Sequence, residues 1–265
     1  QFKEGALRDA GTDNSPKGMI SSWTVDHAGG YTDAQLDQLT RVVRTLGLAL
    51  KSGRNQRMAR TLLEVYLGKD AGRRVLSGEI ERGMVQSISA VLWYCDLQGF
   101  TKIADATPPD ELIKLLNDYF ENMVEPIHAA GGQVLKFMGD GLMAIFELDK
   151  SDDAEVCRTA LDTVEETRRR IAEVNIKRAA AGQPTTEFNV AMHLGDVQYG
   201  NIGSKDRLDF TVVGPAVNEV SWIEAMCRPL GQDVIVSSAF SKAAENCQDR
   251  LVSLGRYALR EARST

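Results

Sequence analysis

The sequence has no C-x-x-C pair and no zinc-ligand spacing, and its four cysteines, Cys95, Cys157, Cys227 and Cys247, are scattered along 265 residues. That excludes a disulfide framework and reads as reduced thiols in a cytoplasmic compartment. Long apolar runs are also missing. The longest, about Ala90 to Cys95, falls far short of the roughly 20 residues that a membrane-spanning helix needs. An excess of basic charge is absent: a net charge of −6 and a pI of about 5.3 argue against nucleic acid as a partner, because phosphate affinity comes from clustered Lys and Arg. There is no internal repeat and no Ser/His/Asp arrangement. What remains is a chain with 43% hydrophobic and 26% charged residues, near the globular average, and long enough for one domain plus an appendage. It begins with Gln1 rather than Met, so it reads as a piece of a longer protein whose upstream targeting segment, if any, is out of view.

The first thirty residues are loop-like, with a strand-like alternation from Met19 to Val25 around Trp23. Thr32-Asp33-Ala34-Gln35 has the form of a capping box, so a helix starts there. Leu36, Leu39, Val43, Leu46 and Leu50 then repeat at coiled-coil spacing until Gly53 interrupts the seam. From Lys51 to Arg82, Lys51, Arg54, Arg57, Arg60, Lys69, Arg73, Arg74 and Arg82 outnumber Glu64, Asp70, Glu79 and Glu81; a solvated linker face explains this better than a membrane or phosphate contact. Gly68, Gly72 and Gly78 should break this stretch into short pieces.

Beyond residue 86 strand and helix patterns alternate. Ile88 to Cys95 reads as a buried strand, Pro108 to His128 as a helix, and Gln133 to Phe137 with Leu142 to Phe146 as a hairpin around Met138-Gly139-Asp140-Gly141. A long helix over Asp152 to Ala181 and a strand over Phe188 to Leu194 complete β-α-β-β-α-β. Further strands follow over Leu208 to Val213, Val234 to Val236 and Leu251 to Leu259, with helices over Val217 to Cys227 and Ser238 to Asn246. The fold class is α+β: a ferredoxin-like sandwich with C-terminal additions, preceded by a helical linker.

Two carboxylates are the candidates for chemistry, each of which taken alone could equally be an ordinary turn residue. Asp96 ends the first strand, followed by Leu97-Gln98-Gly99-Phe100-Thr101, a turn whose backbone N–H groups could hold an anion. Asp140 sits at the hairpin tip between two glycines. Carboxylates at the ends of adjacent strands can share divalent cations, and Mg²⁺ is commonly bound by one or two carboxylates plus substrate phosphates.

Asp96-Leu97-Gln98-Gly99-Phe100-Thr101, Lys136-Phe137-Met138-Gly139-Asp140-Gly141 and Asp209-Phe210-Thr211-Val212-Val213-Gly214-Pro215-Ala216-Val217-Asn218, in that order, resemble the three motifs of the class III nucleotidyl cyclase catalytic domain. The resemblance covers roughly Ser87 to Arg260. It implies three regions: residues 1–31 as the end of a sensor domain similar to a GAF domain, 32–86 as a helical signalling linker, and 87–265 as the catalytic domain. It also implies a homodimeric adenylate cyclase converting ATP to 3′,5′-cyclic AMP and pyrophosphate. Asp96, Asp140 and the Leu97 carbonyl would hold two Mg²⁺ or Mn²⁺ ions, and Gly99, Phe100, Thr101 and Arg260 would meet the phosphates. Lys136 and Thr211, with Asp209 as a less well-aligned alternative, would read adenine, and Asn218 would orient the ribose. Trp222 stands where the family has its transition-state Arg, four residues after Asn218. Indole supplies one neutral N–H where guanidinium supplies a charge and five donors, so slow turnover is the expectation. Arg228 lies further along, facing elsewhere on an ideal helix, and His193 reads as a structural histidine. Two alternatives share these residues. One is a catalytically weak cyclase-homology module that binds nucleotide or dimerises, favoured by Trp222; the other is a guanylate cyclase, opposed by Lys136 and Thr211.

Overall fold

A computed structural model describes residues 22–26, 28–79, 81, 83–148, 152–204 and 206–257. The chain divides into two units, residues 1–59 and 60–265. The first unit contains most of helix α1, Asp33–Leu67. Its start follows the capping box: the Thr32 N–H donates to Gln35 Oε1 at 2.9 Å and the Gln35 N–H to Thr32 Oγ1 at 3.4 Å. Gly53 does not interrupt the helix, since one glycine costs only about 1 kcal/mol against Ala. No residue of α1 is buried, and Leu36, Val43, Leu46 and Leu50 of the predicted seam are exposed. Ser22 to Asp26 carry no regular structure; the rest of the strand-like alternation from Met19 lies outside the described residues.

In the second unit, α1 ends at Gly68 and α2 spans Lys69–Leu76, with Gly78 just beyond it. Gly72, expected to break the chain, lies inside α2, where an added Cβ would come within 3.0 Å of the Leu63 and Glu64 backbone. The elements that follow are β1 (Val85–Leu97), α3 (Phe100–Ala106), α4 (Pro109–Ala129), β2 (Gln133–Met138), β3 (Gly141–Glu147), α5 (Asp153–Ala180), β4 (Phe188–Gly203) and β5 (Leu208–Val213). They continue with α6 (Pro215–Ala225), α7 (Cys227–Leu230), β6 (Val234–Val236), α8 (Ser238–Ala243) and a 3₁₀ turn, Glu245–Arg250. The sheet order is β2-β3-β1-β4-β5, antiparallel throughout, with β6 parallel to β4. This is the ferredoxin-like β-α-β-β-α-β arrangement with additions.

Strand periodicity sorts the core onto two faces. Val91, Trp93, Cys95 and Leu97 of β1 pack with Leu115, Tyr119, Met123 and Ile127 of α4 and with Cys157, Leu161, Val164 and Ile171 of α5. Ile88, Ala90 and Leu92 point the other way, toward Val220 and Ile223 of α6, with Tyr199, Phe210 and Val212 from β4 and β5. The four cysteines are buried free thiols, and burial pushes those of Cys95, Cys157 and Cys227 up to about 12. Among the described residues, no helix is long and apolar enough to cross a membrane.

Two strand readings change. β4 continues nine residues past Leu194, because Gly195 and Gly200 are points of close approach rather than breaks. A Cβ at Gly195 would stand 2.9 Å from Ala216 Cβ on α6, and one at Gly200 would stand 2.1 Å from the Met84 carbonyl. The strand expected over Leu251 to Leu259 is not formed at 251–257. Val252 is 84% exposed, and among the described residues 251–257 pair with no strand, Gly255 turning the backbone at φ 99; 258 and 259 lie outside the described residues.

Candidate active site

Asp96 occupies the last turn of the ladder before β1 ends, paired with Gly141 of β3 on one side and Asn189 of β4 on the other. It shares the α6 face of the sheet with Ala90 and Leu92. Asp140 is brought to it by the β2–β3 hairpin. The two glycines flanking Asp140 have different physical reasons. Gly139 has φ 67, the left-handed value the turn requires. Gly141 leaves room for its neighbours: a Cβ there would come within 2.6 Å of the Cys95 carbonyl oxygen and 3.0 Å of Asp96 Oδ1.

Burial first, then the charges of Asp140 and Glu224, push the Asp96 carboxyl up to about 7, with the Leu97 N–H acting in the opposite direction. Burial and Asp140 likewise raise Glu224, while Arg228 and a hydrogen bond with Asn189 lower it. Like charges crowded in this way are what a divalent cation relieves. Among the described residues no group of three or more His, Cys, Asp or Glu is arranged as a ready metal cage. A carboxylate pair with open positions instead suits a hard cation that completes its shell with phosphate oxygens, so the residues present fit Mg²⁺ or Mn²⁺.

The turn after β1 is held from below. Gln98 Nε2 donates to Asn189 Oδ1 and to Asp233 Oδ1, each at 2.9 Å, and Thr186 Oγ1 donates to the Gln98 carbonyl at 2.6 Å. Gly99, with φ 66, leads into α3, and Phe100 packs on the α4/α5 core, leaving Thr101 exposed. Lys136 is paired with Met143 after a bulge in β2 between Val134 and Lys136. Strict alternation would have put Lys136 on the same face as Val134, against α4; the bulge places it on the α6 face, with Asp96.

The remaining residues lie elsewhere. Thr211 pairs with Gly200, eleven residues along β4 from Asn189, the partner of Asp96, and it points to the opposite face from Phe210 and Val212. That is a strand path on the order of 35 Å. β5 instead packs against β2, the strand of Lys136. Thr211 is 7% exposed and among the described residues its hydroxyl has no hydrogen-bond partner, whereas Asp209 on the same face is exposed. Asn218 is exposed on α6 and Trp222, one turn on, is half-buried. His193 is buried, with Nδ1 3.6 Å from Glu219 Oε1, and burial lowers its pKa, in keeping with a structural role. Arg260 lies outside the described residues. Sequence reasoning missed Glu224. Its one signal was an acidic residue in the apolar turn Ile223-Glu224-Ala225-Met226, and only the passage of α6 across β1 and β4 brings it near Asp96.

The sequence model of the adenylate and guanylate cyclase catalytic domain matches residues 84–264. An adenylate cyclase of Anabaena cylindrica is 30% identical over 164 residues, 60% of this chain and 32% of the relative; adenylate cyclase 1 of Rhizobium meliloti is 30% identical over 167 residues, 62% and 24%. The chain thus spans about a third or less of these curated relatives. Among solved structures, the guanylyl cyclase Cya2 superposes with a TM-score of 0.58 at 28% identity, over 68% of this chain and 88% of that one. A bacterial light-regulated adenylyl cyclase superposes with a TM-score of 0.63 at 24% identity, over 76% and 58%, a likeness of fold. With two thirds of its length matched to the cyclase domain and the fold shared with solved cyclases, the chain belongs to the adenylate and guanylate cyclase catalytic-domain family.

Proposed function

We propose that residues 87–265 form an adenylate cyclase that converts ATP to 3′,5′-cyclic AMP and pyrophosphate at sites shared by two copies of the chain. The observation that carries this reading is the Asp96–Asp140 pair, crowded enough that burial and mutual repulsion push Asp96 up to about 7. Two Mg²⁺ or Mn²⁺ ions held by Asp96, Asp140 and the Leu97 carbonyl would supply Lewis-acid chemistry, acidifying the ribose 3′-hydroxyl and neutralising the triphosphate. The rest is positioning and charge from the chain's own residues. The backbone at Gly99, Phe100 and Thr101 faces the phosphates, with Arg260 as a further phosphate contact. Lys136 donates to a ring nitrogen of adenine. Thr211 accepts from the adenine amino group once the side chains covering it move, with Asp209 as the open acceptor beside it. Asn218 orients the ribose, and Trp222 offers a single neutral N–H.

Supporting two copies per site is the separation of Asp96 and Thr211 within one copy, by strand path and by sheet face. Supporting ATP are Lys136, a donor where guanine would require an acceptor, and the two curated adenylate cyclase relatives. Residues 32–86 serve, in this reading, as a signalling linker from a sensor whose end is residues 1–31, in a cytoplasmic protein. The test is an assay of purified chain with ATP or GTP and Mg²⁺ or Mn²⁺, with the product identified. Cyclic AMP, lost in Asp96→Asn and in Asp140→Asn variants that still fold, supports the proposal. Cyclic GMP as the main product would replace it with a guanylate cyclase, and no cyclic product would leave a nucleotide-binding or dimerisation module.

A further inference from the structure

Beside the carboxylate pair lies a cleft of about 920 Å³ whose rim carries two cations, Lys102 and Arg228, next to Gly99 and Thr101. Its floor is the Gln98–Asn189–Asp233 network, so the Asp233 carboxylate is already engaged by an amide. Asn189 is the cross-strand partner of Asp96, which places the cleft at the same end of the sheet as the carboxylates. Arg228 is exposed, and its guanidinium lies near enough to Glu224 to lower that carboxyl's pKa.

An ideal continuation of α6 would turn Arg228 away from this site. The helix does not continue: it ends at Ala225, and Met226 separates it from α7, Cys227–Leu230, which Gly231 closes at φ 60. Cys227 is buried, its sulfur 3.9 Å from the Val190 carbonyl, which holds α7 against β4 next to Asn189. Arg228 is therefore presented by a short, anchored element to the turn at 97–101. A guanidinium there can engage two phosphate oxygens at once, which the Lys102 ammonium, a point charge, cannot.

We propose that Arg228 is a further catalytic residue of the cyclisation, binding the pyrophosphate end of the nucleotide and offsetting the charge that Trp222 cannot. The inference rests on the cyclase reading above. As the 3′-hydroxyl gives up its proton to water and its oxygen bonds to the α-phosphorus, the bond from that phosphorus to its bridging oxygen breaks, and the electron pair leaves with pyrophosphate. The Arg228 guanidinium meets the growing negative charge, an interaction stronger in the transition state than in the ground state.

Arg228→Ala and Arg228→Lys in the full chain test this. Because the side chain is exposed and its interaction with Glu224 is a surface one, worth little to stability, both variants should melt close to the parent. For Arg228→Ala, kcat should fall by about 10²–10³, the loss typical of one such donor, with a smaller change in KM. Calorimetric binding of Mn²⁺–pyrophosphate should weaken about 10- to 100-fold, as for a lost charge-assisted contact, and Arg228→Lys should lie between the two. Unchanged kcat and unchanged Mn²⁺–pyrophosphate affinity in a folded Arg228→Ala would overturn the proposal. If the parent makes no cyclic nucleotide, the cyclase reading has failed, and Mn²⁺–pyrophosphate binding decides Arg228 alone. Weaker binding by Arg228→Ala keeps it as the anion ligand of the cleft, and equal binding ends it.

Discussion

Replacing Gly141 by Ala tests the packing of the carboxylate pair. The new methyl would stand 2.6 Å from the Cys95 carbonyl oxygen and 3.0 Å from Asp96 Oδ1. A carbon normally approaches a carbonyl oxygen no closer than about 3.3 Å, so β1 and β3 must part by roughly 0.7 Å at the row where Asp96 pairs with Gly141. Overpacking of this kind costs about 1–3 kcal/mol, which in a unit of about 200 residues lowers Tm by about 2–4 °C per kcal/mol. The larger effect falls on catalysis, because displacing a reacting group by 1 Å can cost about 10²-fold. Gly139→Ala is the matched control. It forces an alanine to φ 67 at about 1–2 kcal/mol, yet its Cβ meets nothing within 4 Å. The two variants should lose similar stability in thermal melts, while only Gly141→Ala loses most of its metal-dependent cyclase activity. Gly141→Ala with the activity of Gly139→Ala would refute the reasoning.

Asp96 makes the metal-free domain sensitive to pH. An acid whose folded value of about 7 lies above the ordinary 3.8 holds its proton more tightly in the fold, so its ionisation removes stability as pH rises through that window. Melts in chelator should fall across the window for the parent and fall less for Asp96→Asn; parallel curves would contradict the burial and repulsion assigned to Asp96. With Arg228 supplying the charge, Trp222→Arg should raise kcat by less than about tenfold, whereas a rise near the 10²–10³ worth of a missing donor in steady-state assays would show that the parent lacks one.

The core and the pairing of Asp96 with Asp140 were legible because their signals are local. A short apolar run marked β1, one-sided apolar spacing from Leu112 to Ile127 marked α4, and the Gly-Asp-Gly turn between two strand-like runs marked the β2–β3 hairpin that carries Asp140. β4 was read short because a glycine in a strand looks like a stop, and whether it is one depends on what packs against it, here Ala216 at Gly195 and Met84 at Gly200. Glu224 escaped, and Arg228 was read as facing away from the site, for a related reason. Their relevance depends on how α6 crosses the sheet and on its break at Met226, neither of which leaves a periodic trace. The bulge that turns Lys136 to the Asp96 face and the closed environment of the Thr211 hydroxyl are likewise products of pairing and packing rather than of composition.

The central claim is that one site draws on two copies of the chain, and subunit complementation tests it most directly. Asp96→Asn and Lys136→Ala each remove a contribution to every site in their own homodimers, so each alone should be inactive. In the proposed arrangement Asp96 and Asp140 come from one copy and Lys136, Thr211 and Asn218 from the other, so heterodimers formed on mixing hold one site with both lesions and one with neither. Cyclic AMP formation returning on mixing is the predicted result. If a tagged pull-down shows that the subunits have exchanged and no activity returns, the shared site is contradicted.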